Sequence, residues 1–124
     1  MPRFDVETLH RIRTAREVSI RTEKHPNSGV VIWVVVAGDE VFVRSWRGTA
    51  GRWYRDLAAG GPASLEFDGR CLLVQAIPTN DAAAIGRVSD EFLRKYKSSS
   101  HAQEMVRTEI LATTLRLEPR EVAR

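Results

Sequence analysis

The residues best suited to bind a ligand lie close together, in residues 44–55. This segment carries four arginines, two tryptophans and one tyrosine, and it has no acidic residue. Arginine forms forked, charge-assisted hydrogen bonds with anions, glycine lets the backbone approach an anion closely, and aromatic side chains offer flat faces for stacking. The segment therefore predicts a site for an anionic, aromatic ligand. Its predicted ligand-binding residues are Arg44, Ser45, Trp46, Arg47, Gly48, Arg52, Trp53 and Tyr54.

A second group of polar residues, Lys24, His25 and Ser28, lies in a segment rich in turn-forming residues. An amine, an imidazole and a hydroxyl in one short loop are suited to contact a phosphate. Each of the two segments also has a simpler interpretation. Residues 44–55 would then be a basic surface loop whose tryptophans are anchored in the core, and residues 24–29 would be an ordinary polar hairpin loop.

The sequence does not identify a catalytic centre. His10, His25 and His101 show no metal-ligand spacing with each other, with a cysteine or with a carboxylate, so no metal site is predicted. His10 and His101 fall on predicted helices and are expected at the surface. Cys71 alternates with Leu73 in a predicted strand and is expected in the core. If the protein is an enzyme, a cofactor therefore carries its reaction.

Length and composition are typical of one small globular domain that spans residues 1–124. Hydrophobic residues make up 43% of the chain and charged residues 28%. The net charge of +3 is small and the excess of basic over acidic residues lies in one loop, which argues against nucleic acid as a partner. The longest apolar run has eight residues, whereas a membrane span needs about 20. A single cysteine and the lack of an apolar leader predict a cytoplasmic protein.

Hydrophobic alternation and β-branched residues predict six strands. They fall at residues 17–22, 30–36, 40–46, 63–67, 70–77 and 113–118. Gly38-Asp39 and Asp68-Gly69 predict hairpin turns between neighbouring strands. Because few helices intervene, we expect a mostly β protein, an antiparallel six-stranded barrel with peripheral helices.

Four helices are predicted around this barrel. The first begins at Asp5, the second is a short helix at about residues 52–59, and the third begins at Asn80 or Asp81. Ser100 and Gln103 fit a capping box for the fourth. The third helix has an apolar stripe that is expected to pack on the outside of the barrel, formed by Ile85, Val88, Phe92 and Tyr96.

Three segments together resemble a family of small uncharacterised bacterial proteins. They are VVIWVVV (residues 30–36), VFVRSWRG (residues 41–48) and GRWYRDL (residues 51–57). This family looks like a branch of the flavin-binding split-barrel superfamily, which includes pyridoxamine-phosphate oxidases and deazaflavin-dependent nitroreductases. The resemblance implies a split β-barrel, an FMN or deazaflavin cofactor and a homodimer that holds the cofactor between its subunits.

Within the nitroreductase branch, the matching positions are Ser45, Gly48, Trp53 and Leu57. The resemblance places the cofactor phosphate beside Ser45, Arg47 and Gly48. The chain departs from the pattern at Asp56, where the nitroreductases usually have asparagine, and its loop is richer in arginine.

The sequence is consistent with three functions. The leading interpretation is a flavin- or deazaflavin-binding protein that acts as an oxidoreductase on an unknown substrate. The alternative is a non-enzymatic binder of another anionic small molecule, such as a nucleotide or heme. The third and least favoured is single-stranded nucleic-acid binding, because the excess of basic over acidic residues is confined to one loop.

Overall fold

Seven antiparallel strands form one sheet in the computed structural model, which describes residues 3–120. The order of the strands across the sheet is β2-β1-β5-β6-β7-β4-β3. Helices pack around the sheet, and no parallel β–α–β crossover occurs within the described residues. The predicted class, mostly β with peripheral helices, is therefore confirmed. The strands are β1 (Val18–Thr22), β2 (His25–Ile32), β3 (Val35–Ala37), β4 (Glu40–Val43), β5 (Gly61–Phe67), β6 (Arg70–Pro78) and β7 (Leu115–Pro119).

The prediction of six strands is wrong for two reasons. The expected strand at residues 30–36 is interrupted at Trp33 and Val34, so it contributes to both β2 and β3. In addition, β2 begins at His25, so the residues predicted to form a loop after Lys24 belong to a strand. The turn is shorter than predicted, because only Glu23 and Lys24 separate β1 from β2.

The interruption explains the shape of the sheet. β2 and β3 lie at opposite ends of the strand order, yet only Trp33 and Val34 connect them. Three peptide units span at most about 11 Å, so these two edges must come close together. The sheet therefore curls into a half-barrel.

Both predicted hairpin turns are confirmed. Gly38 and Asp39 connect β3 to β4, and Asp68 and Gly69 connect β5 to β6. Asp68 and Gly69 have φ values of 50° and 71°. This pair of left-handed residues is typical of the tight turns whose twist matches that of the flanking strands.

The described part of the chain has four α-helices, α1 (Val6–Thr14), α2 (Arg52–Leu57), α3 (Ala82–Lys95) and α4 (Thr108–Leu111). Asp5 caps α1 by accepting a hydrogen bond from the Thr8 amide, and Asp81 caps α3 by accepting one from the Ala84 amide. The capping box predicted at Ser100 and Gln103 is wrong. A 3₁₀ helix, Ala102–Val106, begins there after His101, without a side-chain cap.

Two groups of buried residues hold the fold together. One fills the inside of the curled sheet and includes Ile20, Val41 and Leu65. The other lies between β3, β4 and α3, where Phe92 and Tyr96 are fully buried, as the predicted stripe requires. Cys71 is exposed, so its predicted place in the core is wrong. It lies in the first half of β6, near the hairpin, where both faces of the strand are largely open.

Among residues 3–120, no helix combines the length and the apolar character needed to cross a membrane.

Candidate functional site

A cavity of about 700 Å³ lies beside β2 and the segment that connects β4 to α2. This volume falls within the range of about 300–1,000 Å³ that is usual for small-molecule sites. Apolar and aromatic residues form most of its wall, and basic residues form the rest. The lining residues are Glu17, Val30, Val31, Ile32, Trp33, Arg44, Ser45, Trp46, Arg47, Gly51, Arg52, Trp53, His101 and Met105.

The predicted ligand-binding residues divide into two groups. Those that line the cavity are Arg44, Ser45, Trp46, Arg47, Arg52 and Trp53. Those outside its wall are Lys24, His25, Ser28, Gly48 and Tyr54. Gly48 lies instead in a shallow neighbouring depression, which shares Trp46 and Arg47 with the cavity.

His25 contacts an acid in α2 and not the cavity. Its Nδ1 lies 2.6 Å from Asp56 Oδ2, and the Thr22 hydroxyl donates to the same oxygen at 2.6 Å. Burial alone would raise the pKa of Asp56, but these hydrogen bonds from Thr22 and His25 keep that pKa below its ordinary value. The cluster ties the β1–β2 hairpin to α2. Arg52 and Asp56 lie four residues apart in α2, a spacing that allows an ion pair on a helix, but Asp56 contacts Thr22 and His25 instead.

Arg44 is a structural cation as well as a cavity residue. Its side chain is 1% exposed, and burial lowers its pKa to about 10. The guanidinium donates at 2.8–3.0 Å to four acceptors on three other segments. They are Thr114 Oγ1, Ser89 Oγ, the Met105 carbonyl and the Ile85 carbonyl. Among residues 3–120 no carboxylate lies within 4.0 Å of this charge.

Arg47 and Arg52 supply the accessible positive charge of the cavity. Both side chains are exposed, and within the described part of the chain neither forms a hydrogen bond or an ion pair. Glu17 is the one acid in the cavity wall formed by residues 3–120. The cavity is therefore positively charged, and two of its guanidinium groups are free to pair with an anion.

Three tryptophans line the cavity to different extents: Trp46 is exposed, Trp33 is half-buried and Trp53 is buried in the core. Trp33 stacks on Tyr96, and Trp53 packs edge-on against Tyr54. Trp46 is held by two other residues: its Nε1 donates to Glu104 at 2.9 Å, and Arg107 donates to its carbonyl at 2.6 Å.

Ser45 and Gly51 lie against each other in the cavity wall. The Ser45 hydroxyl is buried and has no hydrogen-bond partner among residues 3–120. A Cβ atom placed on Gly51 would lie 2.5 Å from this oxygen. Any side chain at position 51 would therefore force the Ser45 hydroxyl to move.

Sequence reasoning missed several cavity residues, including His101 and Met105 near the 3₁₀ helix. His101 is exposed, as predicted, but it lies at the cavity wall. Its Nδ1 is 2.5 Å from Glu104 Oε2. The spacing of histidine and glutamate three residues apart was a usable signal, since such residues face each other on a helical turn.

Comparisons with known proteins support the fold. The structure superposes on that of the conserved hypothetical protein Rv2991 from Mycobacterium tuberculosis with a TM-score of 0.60 and 14% identity, over 98% of this chain and 81% of that one. It superposes on HutZ, the heme storage protein from Vibrio cholerae, with a TM-score of 0.55 and 10% identity, over 94% of this chain and 91% of that one. At such low identity the likeness shows a shared, split-barrel-like fold alone.

Sequence comparisons identify the family. No curated protein sequence matches the chain. A profile of bacterial proteins matches residues 8–117, which is most of the chain. The chain therefore belongs to DUF2255, a family described as uncharacterized proteins conserved in bacteria.

Proposed function

We propose that this protein is a non-enzymatic binder of a planar, anionic small molecule, with heme as the first candidate. The observation that carries the proposal is the cavity wall itself. The unpaired guanidinium groups of Arg47 and Arg52 share one cavity with the aromatic side chains of Trp33 and Trp46, the two lining tryptophans that are not buried. A ligand that satisfies both features has an aromatic ring system and at least one negative charge.

The chemistry of the wall fits heme. A porphyrin is a large, flat, apolar ring, and side chains such as Val30, Ile32 and Met105 give it an apolar surface. Its two propionates are carboxylates, the groups that Arg47 and Arg52 are suited to bind. The shared fold with a protein named for heme storage gives further support.

A flavin-like cofactor is the second candidate. The buried Ser45 hydroxyl has no partner among the described residues, and it lies in the same wall as Arg47. A serine and an arginine together are suited to a phosphate, as in FMN or a deazaflavin coenzyme. When bound, such a cofactor would supply hydride or electron transfer, and the protein would then be an oxidoreductase. The residues of the chain would bind the phosphate, stack on the ring and exclude water.

The ligand is identified by titrating the purified protein with hemin, FMN and riboflavin and following absorbance and tryptophan fluorescence. Tight binding of hemin with a strong Soret band, and weak binding of FMN, supports the heme proposal. Tight binding of FMN over riboflavin supports the second candidate. If none of these ligands binds at micromolar concentration, the proposed function is wrong.

The role of the charges is tested with a neutral ligand. Hemin dimethyl ester keeps the ring but carries no carboxylates. We expect Arg47→Ala and Arg52→Ala to weaken hemin binding roughly tenfold each, because a lost charge-assisted hydrogen bond costs about 1.5 kcal/mol. The same substitutions should leave binding of the ester nearly unchanged.

Arg55 provides the matched control for these variants. It is an exposed arginine of α2 and does not line the cavity. Arg55→Ala should therefore not change the affinity for hemin. If all three arginines contribute equally, the effect is general surface charge, and the cavity site is contradicted.

A further inference from the structure

Glu104 joins two residues of the cavity wall that are distant in sequence. Its Oε1 accepts a hydrogen bond from Trp46 Nε1 at 2.9 Å, and its Oε2 lies 2.5 Å from His101 Nδ1. Trp46 and His101 line the cavity, whereas Glu104 stands behind them. One carboxylate therefore fixes the position of both side chains.

The contact with Glu104 determines which ring nitrogen of His101 carries the proton and which keeps a free lone pair. An ionised carboxylate only accepts hydrogen bonds, so Nδ1 must be the nitrogen that carries the proton. In the neutral ring, Nε2 is then unprotonated and free to donate its lone pair. The side chain of His101 is 66% exposed and lines the cavity.

This arrangement is the one that metal-binding histidines use. Such a histidine donates its other N–H to a carboxylate or a carbonyl, which sets the orientation of the ring and makes the ligating nitrogen more basic. The sequence shows no cluster of metal ligands, and among residues 3–120 no three acidic, histidine or cysteine side chains come together to hold a metal ion. One histidine is nevertheless sufficient where the ring of the bound molecule supplies the remaining ligands, as a porphyrin does with four nitrogens.

We propose that His101 is the axial ligand, through Nε2, of the iron of a tetrapyrrole bound in the cavity, and that Glu104 is its positioning residue. The proposal rests on the proposed function, since it requires heme to occupy the cavity. The proposal also explains how the cavity would distinguish between ligands. The arginines and tryptophans are suited to many planar anions, whereas His101 favours an anion with a metal at its centre.

Two probes separate this proposal from the proposed function. Hemin carries iron, whereas protoporphyrin IX has the same ring and carboxylates without a metal. We expect wild-type protein to bind both, and to bind hemin more tightly. His101→Ala should weaken hemin binding by tenfold or more and shift the Soret maximum, and it should leave protoporphyrin IX binding unchanged. Free imidazole added to the variant should restore the wild-type spectrum.

Two further variants complete the experiment. His10→Ala is the matched control, because His10 is an exposed histidine on α1 outside the cavity wall. It should behave like the wild type. Glu104→Gln should raise the reduction potential of bound heme, because a neutral amide makes Nε2 less basic than a carboxylate does. A role confined to packing would leave that potential unchanged.

The outcomes that overturn each idea differ. If His101→Ala binds hemin with the wild-type affinity and spectrum, axial ligation is wrong and the proposed function stands. If the variant loses hemin and protoporphyrin IX equally, His101 only shapes the cavity, and axial ligation is again wrong. If wild-type protein binds neither probe, heme is wrong as the ligand in the proposed function, and axial ligation fails with it.

Discussion

The indole of Trp33 stacks on the ring of Tyr96, with ring centroids 3.9 Å apart and planes inclined by only 3°. Trp33 belongs to the interruption between β2 and β3, and Tyr96 closes the C-terminal end of α3. The hydroxyl of Tyr96 accepts a hydrogen bond from the Val34 amide at 3.2 Å and lies 2.8 Å from the Arg16 carbonyl, to which it donates. Helix α3 thus supports the aromatic wall of the cavity from behind.

Two substitutions of Tyr96 should distinguish its contribution to the stability of the fold from its contribution to ligand affinity. Tyr96→Phe keeps the stack on Trp33 but leaves the Val34 amide unpaired, so we expect a loss of about 1–3 kcal/mol in unfolding free energy. Ligand affinity should change little. Tyr96→Leu removes the stack as well and should lower both stability and affinity. Urea unfolding and ligand titration of the two variants measure these effects.

Phe92→Leu is the control for this pair. Phe92 is fully buried beside Tyr96, and Trp33 forms its stack with Tyr96 alone among the described aromatic rings. The substitution should lower stability by about 1 kcal/mol without changing ligand affinity. If affinity falls in proportion to stability in all three variants, the stack on Trp33 has no separate role.

Ser45 and Gly51 should show strong non-additivity. Gly51→Ala forces its new methyl group against the Ser45 hydroxyl, and overpacking of this kind costs about 1–3 kcal/mol. Ser45→Ala removes an unpartnered buried hydroxyl and should be neutral or slightly stabilising. In the double variant, Gly51→Ala should cost nearly nothing, because its backbone conformation, φ −65° and ψ 127°, suits alanine. Equal costs of Gly51→Ala in the two backgrounds would contradict the contact.

The sequence predicts the regular elements of this fold well and the long-range contacts poorly. The helix caps at Asp5 and Asp81 and the two hairpin turns depend on residues that are close in sequence, so a local sequence pattern predicts them. The break between β2 and β3 at Trp33 is not predicted, because the segment around it is continuously β-branched and apolar. It arises from closure of the sheet, which no local pattern encodes.

The same distinction applies to the site. Arg47, Arg52 and Trp53 are found from composition, because basic and aromatic residues are rare together. His101 is missed because 54 residues lie between it and Trp46 in the sequence, and only the fold brings both to one cavity. The sequence predicts Arg44 to be a ligand-binding residue, but its guanidinium also donates hydrogen bonds to acceptors on three other segments. The sequence does not predict its burial, because the burial results from the packing of helices that are distant in sequence.

Lys95 should make stability rise with pH in the mildly alkaline range. Burial, assisted by the charges of Arg94 and Arg16, lowers the pKa of Lys95 from 10.5 to about 8. Below pH 8 the amine is charged in both states and its burial destabilises the folded protein. Between about pH 8 and 10.5 the unfolded chain holds more protons than the folded one, so the unfolding free energy increases with pH.

The effect is measured by comparing wild type with Lys95→Met from pH 7 to pH 10. The stability of the wild type relative to the variant should rise by about 1 kcal/mol over this range, since solvent screens a partly exposed charge and reduces the full effect of the shift. Lys97→Met, at an exposed position two residues along, should show no such trend. A flat difference for Lys95→Met would show that its amine titrates alike in both states.

Two exposed apolar side chains, Val31 and Trp46, lie in the wall of the cavity. β2 is an edge strand, and its Val31 is 63% exposed while lining the cavity. Trp46, on the same cavity, is 53% exposed. An edge strand with exposed apolar residues invites pairing with another chain. This supports the homodimer that the sequence predicts.

We therefore expect the protein to sediment and scatter light as a dimer of its 14.0 kDa chain, and Val31→Lys to convert it to a monomer. The new charge would be buried without a partner in a two-fold contact, where each copy presents the same surface.

Val6→Lys is the matched control, because Val6 is 83% exposed on α1 and lies outside the cavity wall. It should remain dimeric. Because Val31 itself lines the cavity, the oligomeric state and not ligand affinity is the measure of this contact. A wild-type protein that stays monomeric at tens of micromolar would show that the apolar edge serves the ligand alone.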